Sequence, residues 1–219
     1  IGPKLKWIKS ELENKLNLIL FLIISLLLST FIIRNLDINF LINTILVTSA
    51  FYLFLITLKD FFSKKFKNLS QNLAHFSFSL LILSILFNNF LSTEIITNLK
   101  INETYENDTL KINFEGIEQR DEQNFKAIIG KFVIEHNGGQ TDIMQPELRI
   151  YNQPNIITSE ADIKTTLYKD KFMTMNSVQN QEYFNIRYQV KPFMIWIWLS
   201  TFLISLSGLI GFFKKRYEN

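Results

Sequence analysis

Four apolar runs, each long enough to cross a bilayer as a helix, restrict what this chain can become. They are Leu16–Ile33, Ile38–Leu58, Leu69–Leu91 and Pro192–Phe213. A hydrocarbon core about 30 Å thick is spanned by roughly 20 helical residues. Backbone in that core has no water to bond, so such runs must close their hydrogen bonds internally, as helices. Run one is too long for a cleaved signal peptide, and no small-residue cleavage site follows it. Between runs three and four lies a stretch of different character, residues 92–190.

The charges sort by region. Residues 92–190 carry ten Lys and Arg against fifteen Asp and Glu, a net charge of −5, while the remainder is net +8. Lys4, Lys6, Lys9 and Lys15 precede run one, Lys59, Lys64, Lys65 and Lys67 separate runs two and three, and "KKRY" follows run four. Basic residues crowding three segments on one side of the spans place both termini inside and residues 92–190 outside. This is a topology pattern, and there is no nucleic-acid footprint. Cysteine is absent, which excludes disulfides, thiolate metal sites and cysteine nucleophiles.

The excursion has a β pattern. "LKINFEGIE" alternates apolar and polar residues, and "KAIIGKFVIEH" and "QTDIMQPELRIY" flank an Asn-Gly turn, a strong short-range hairpin signal. "EYFNIRYQV" makes a last strand leading into run four, and "TSEADIKTTL" a short helix or a strand. The fold class is thus an α-helical membrane protein: four transmembrane helices with a small, mainly-β extramembrane domain, a barrel or sandwich, inserted between helices 3 and 4. The expected division is 1–91 with three spans, 92–190 as the outward β domain, and 191–219 with the fourth span and a basic inner tail.

Only two histidines occur, and His75 lies inside run three, in "NLAHFSFSLLILSILF". At helical spacing Asn72, His75 and Ser79 share a face, a polar stripe in an apolar span. Polar groups in lipid usually turn inward to partners. His75 is either a packing donor to a neighbouring helix, or a haem or metal ligand or proton relay; neutral imidazole is a common iron ligand. One histidine supplies one axial ligand, so a six-coordinate haem would need a second from another chain. His136, next to the Asn-Gly turn, is expected to be an exposed hairpin residue. Trp196 and Trp198, in "KPFMIWIWLS", lie on different faces of the fourth span. They suit an interfacial anchor beside a snorkelling Lys191, or packing on a flat cofactor. Glu147 and Arg149, at i and i+2, share one strand face. No catalytic triad, phosphate loop or zinc spacing is present.

Taken in order, "IGPKLKWIK", "NLAHFSFSLLILSI", "PELRIY", "TSEADI" and "RYQVKPFMIWIWLSTFLISLSG" resemble the C-terminal part of the cytochrome c maturation protein F (CcmF) family, the membrane subunit of the system I haem lyase. The resemblance implies attachment of haem to the C-x-x-C-H cysteines of apocytochrome c. It also implies a haem b held between membrane histidines. His75 matches one axial ligand of that haem, which is shared with a partner chain. Pro146, Arg149, Tyr151 and Glu160 match the outer domain's signature. Implied partners are an N-terminal CcmF part carrying the W-x-W-W-D segment, the haem chaperone CcmE, a CcmH-type thiol subunit, apocytochrome c and membrane lipid. That segment and the other histidine ligands are absent here. The chain is therefore expected to be a C-terminal fragment or split subunit, catalytically incomplete alone, in a mitochondrial or bacterial inner membrane. Richness in Ile, Asn, Lys and Phe, with only seven Gly and four Pro, suggests an AT-biased genome, which suits an organelle or a reduced bacterium. The rival reading is a non-enzymatic membrane scaffold with a structural His75. A transporter is disfavoured, because the spans lack paired charges and broken segments.

Overall fold

In the computed structural model the described residues are 15–36, 39–63, 69–177 and 182–218. They form two compact units, residues 1–90 with 196–219, and Leu91–Ile195. The first holds helices α1 (Lys15–Arg34), α2 (Phe40–Ser63), α3 (Leu69–Leu91) and most of α4 (Met194–Glu218). All four are long and apolar enough to cross a membrane. The basic residues at positions 4, 6, 9, 64, 65 and 67, and the "IGPKLKWIK" stretch, lie outside the described residues.

Buried hydroxyls knit these helices. Ser29 and Thr48 bond across α1 and α2. Thr57 and Ser79 bond across α2 and α3 at 2.7 Å. The Ser70 hydroxyl of α3 donates to the Ser207 carbonyl of α4 at 2.8 Å. Between apolar helices in lipid, small side chains and such bonds hold the contact, because burial offers no gain over the tails. Phe76 of α3 adds rings of α2, with centroids 5.7 Å from Phe54 and 5.4 Å from Phe61.

The second unit is a sandwich of two antiparallel sheets. The smaller runs β1 (Thr93–Leu99), β10 (Phe184–Pro192), β9 (Lys169–Ser177), β8 (Asp162–Thr165). The larger runs β2 (Thr104–Glu106), β3 (Leu110–Asp121), β4 (Phe125–His136), β6 (Glu147–Tyr151), β7 (Ile156–Glu160), with β5 (Thr141–Met144) also paired to β4. The Asn-Gly hairpin forms as expected between β4 and β5, with Gly139 at φ 75°, the left-handed region glycine tolerates.

Alternation fills the space between the sheets. Ile112, Phe114, Phe132, Ile134, Met144 and Leu148 project from the larger sheet, and Met173, Met175, Ile186 and Tyr188 from the smaller. Phe114 stacks on Phe132 at 4.3 Å and meets Phe184 of the other sheet edge-on at 5.5 Å. "TSEADI", anticipated as a short helix or strand, is a corner at which extended chain passes from one sheet to the other. Only Ala161 separates β7 from β8. Ser159 donates across to the Met175 carbonyl at 2.7 Å, and Asp162 accepts from the Gln145 amide at 2.6 Å. Bends of this kind are how strands change sheets.

Gly130 sits where nothing larger fits. A Cβ there would lie 2.5 Å from the Phe132 ring and 2.8 Å from the Met175 sulfur, both fully buried. Overpacking a filled core costs about 1–3 kcal/mol. Gly130→Ala should therefore lower the stability of the β domain in urea by that much, while Gly138→Ala, which meets nothing, should not. Near-UV circular dichroism of the purified chain measures both.

Candidate functional site

Along α3 the side chains divide into two sets. Asn72, Leu73, Ser77, Ser79, Leu83 and Ser84 are buried, whereas Gln71, His75, Phe78 and Ile85 are exposed. The expected common face for Asn72, His75 and Ser79 is corrected by this arrangement. At 3.6 residues per turn His75 lies about 60° around the helix from Asn72. That rotation carries the imidazole from behind the neighbouring helix to the outer surface. Asn72 and Ser79 face inward, and Ser79 is satisfied by Thr57. No hydrogen bond from His75 exists among the described residues. Nor do those residues contain any group of three or more His, Cys, Asp or Glu arranged for a metal. On α4, Trp196 is half-buried and Trp198 exposed, two positions and about 200° apart.

A second constellation lies on the face of β4, β6 and β7 opposite the core. Register aligns Phe125 with Tyr151 and Ile156, Ala127 with Arg149 and Thr158, and Ile129 with Glu147 and Glu160. Arg149 Nε donates to Glu147 Oε2 at 2.9 Å, and its guanidinium lies 5.0 Å over the Phe125 ring. Phe125 in turn leans on Tyr151 at 5.2 Å. Arg120 of β3 reaches the other Glu147 oxygen at 3.2 Å. Hydrogen bonding to Glu147, then to Tyr151, raises the Arg149 pKa above its ordinary value, with the Glu160 charge adding to it. Flat guanidinium, two rings and flanking carboxylates make a surface fitted to planar or peptide partners.

A third group is buried between the sheets. Lys171 of β9, 2% exposed, reaches Asp142 of β5 in an ion pair. His136 Nε2 lies 3.0 Å from the same carboxylate oxygen and 3.3 Å from Lys171 Nζ. His136 is therefore not the exposed hairpin residue expected of it; its position at the end of β4 turns it toward the core side. Burial pushes the Asp142 carboxyl up, but bonds from Lys171 and His136 outweigh this and hold it below its ordinary value. Tyr188 is raised well above the usual phenol, by burial first and then by the Asp142 charge.

Residues 90–192 match the family model of the CcmF C-terminal beta-sandwich. The match covers the β domain and a little under half of the chain. The chain is 24% identical over 148 residues to the cytochrome c-type biogenesis protein CcmF of Pseudomonas fluorescens, covering 68% of this chain and 22% of that one. It is 22% identical over 145 residues to CcmF of Escherichia coli K12, covering 66% and 22%. It is 27% identical over 126 residues to the cytochrome c-type biogenesis protein ccl1 of Rhodobacter capsulatus, covering 58% and 19%. The chain thus spans about a fifth of the length of these relatives. A solved structure titled cytochrome c heme lyase CcmF matches with a TM-score of 0.67 at 19% identity, over 95% of this chain and 36% of that one. At that identity the likeness concerns the fold: four helices, with the β-sandwich between the third and fourth.

Of the residues singled out by resemblance to CcmF, the structure gathers Arg149, Tyr151 and Glu160 on one sheet face. Pro146 is different: it is buried, and its carbonyl accepts the Gly130 amide at 3.0 Å, carrying the β4 pairing from β5 to β6. Phe125 and Arg120 complete the CcmF-like face but come from β4 and β3, and nothing local in "PELRIY" points to them. The buried Lys171–Asp142–His136 group was also missed, although a signal existed. Counting alternation outward from the Asn-Gly turn puts His136, Asp142 and Met144 on the core side.

Removing one member of a buried pair leaves the other charge uncompensated, at a cost of about 3 kcal/mol. Asp142→Asn should destabilise the β domain by that order in urea unfolding. The ordinary aspartate value is 3.8 and the folded value lies below it. The contribution is therefore complete above about pH 4–5 and disappears as pH falls through the folded value. The wild-type stability profile should drop on that acid side, and the Asp142→Asn variant should lack this component.

Proposed function

We propose that this chain is part of a membrane haem lyase that attaches haem to apocytochrome c, and that it supplies one half of a haem-b site. The observation that carries the reading is His75: an imidazole in a membrane-length apolar helix, exposed, with no hydrogen bond among the described residues. An intramembrane ionisable group without a partner among the described residues is suited to one from elsewhere. The chemistry of the donor fits haem iron, which accepts a neutral imidazole on each side. When bound, such a haem would supply one-electron redox chemistry. His75 would hold the ring nitrogen toward the iron, and the outer surface of α3 would pack on one porphyrin face. The second ligand would come from a companion polypeptide carrying the W-x-W-W-D segment. Trp196 and Trp198 are further candidates for contact with the ring or the interface.

The β domain would form part of the surface at which apocytochrome c meets haem delivered by a CcmE-type chaperone, alongside a CcmH-type thiol subunit. The Arg149, Tyr151, Glu160 and Phe125 face supports this role by exposing a guanidinium and rings on a rigid sheet. The acidic balance of residues 92–190 as a whole would favour basic partners by electrostatic steering. The proposed setting is a bacterial or mitochondrial inner membrane, with residues 92–190 in the periplasm or intermembrane space and both termini on the other side. A scaffold with His75 as a helix-packing donor is less well supported, since the ring is not bonded to a neighbouring helix among the described residues.

His75→Ala, introduced into the assembly purified with its companion chain, should abolish or strongly diminish the b-type absorption in optical spectra. An unchanged band in that variant rules out the ligand role. Association of the outer domain with a basic apocytochrome c should slow as salt shortens the Debye length, and a rate indifferent to ionic strength in stopped flow would remove the steering argument.

A further inference from the structure

The β8–β9 turn is placed by the register of the smaller sheet. The chain enters this unit from α3 at Leu91 and leaves it into α4 at Met194, and both residues belong to the unit itself. β1 begins at Thr93, opposite Val190 of β10. At the other side of β10, Pro192 pairs with Lys169 and Lys191 with Asp170, and Asp170 in turn pairs with Thr165 of β8. All four strands therefore have an end on the side of the sheet that carries the links to α3 and α4. The turn joining β8 to β9, residues 166–168, is fastened there. The Phe193 amide, one residue before α4, donates to the Tyr168 carbonyl at 2.9 Å.

This turn presents apolar side chains outward. Leu167 is 54% exposed and Tyr168 69% exposed. Its backbone is closed from within, the Thr166 hydroxyl donating to the Lys169 carbonyl at 2.7 Å and the Thr166 amide to the same oxygen at 3.0 Å. The exposure thus belongs to an ordered turn. Lys191 lies beside it with its ammonium 5.4 Å over the Phe172 ring. Tyrosine, an aliphatic neighbour and lysines are the side chains that settle at the headgroup boundary, where an apolar body and a wet tip are both accommodated.

We propose that the β8–β9 turn is a membrane-interface anchor, with Leu167 and Tyr168 inserted among the lipid headgroups beside the entry of α4. A hydrogen bond between Tyr168 and Phe193 keeps the turn within one backbone contact of the entry point whatever the tilt of the helix. The anchor gives the β domain a second hold on the bilayer besides its two covalent links. It rests on α4 crossing the membrane and does not depend on haem.

The chain has no cysteine, so single-cysteine nitroxide labels report one place each. The full chain is reconstituted into phosphatidylcholine–phosphatidylglycerol vesicles with labels at Leu167→Cys, Tyr168→Cys, Ser177→Cys and Leu199→Cys. Ser177 is the far end of β9, roughly 26 Å from Lys169 at the usual strand rise. Leu199 is on α4. Accessibility to oxygen relative to a water-soluble nickel chelate should be several-fold higher at Leu167→Cys and Tyr168→Cys than at Ser177→Cys, and higher again at Leu199→Cys. If Leu199→Cys is lipid-like while both turn labels match Ser177→Cys, the anchor is refuted and the membrane reading stands. If Leu199→Cys also matches Ser177→Cys, α4 does not cross and both fall. Turn labels shielded from both reagents would mean that protein covers them, which equally overturns the anchor.

Discussion

Backbone placed in hydrocarbon must satisfy its own hydrogen bonds, and the rest of this structure follows from that constraint. It makes four helices of the apolar runs and gives the chain defined points of entry and exit. α3 ends at Leu91 and α4 begins at Met194. Between them the chain must go out and return, and an antiparallel pair does so directly. β1 starts where α3 ends, β10 finishes where α4 begins, and the two strands run side by side in register. The sandwich is built outward from this pair.

The same constraint governs the polar side chains inside the spans. Serine and threonine hydroxyls are short enough to bond to their own helix backbone while touching a neighbour, as Thr57 does with the Leu53 carbonyl and Ser79. The imidazole of His75 makes no such bond among the described residues. His75 sits on the outer surface of α3, where a group from outside the chain can reach it. An exposed imidazole with no hydrogen bond among the described residues is what gives the haem reading its physical basis.

In the β domain, polar residues divide by depth. On the open sheet face, Arg120, Glu147 and Arg149 form a chain of charges that remain partly solvated, so they hold geometry more than they add stability. Between the sheets, Lys171 and Asp142 are removed from water and must stay paired. The first arrangement leaves donors and rings available to a partner. The second ties the β4–β5 hairpin to β9 of the opposite sheet.

The spans, the insertion of a β domain between the third and fourth, and the Asn-Gly hairpin were legible from residue order alone, because hydropathy runs, alternation and turn chemistry are local. Glu147 beside Arg149 was legible for the same reason. Which way His75 points was not: its direction relative to Asn72 and Ser79 depends on where neighbouring helices pack, and a rotation of about 60° separates inside from outside. Arg120 and Phe125 join Arg149 only through pairing of strands that are distant in sequence. His136 meets Lys171 only because two sheets close on each other. Local chemistry determined what elements this chain makes, and only the pairing and packing of those elements decided which side chains meet, since contacts between remote residues arise from burial and register that no short stretch encodes.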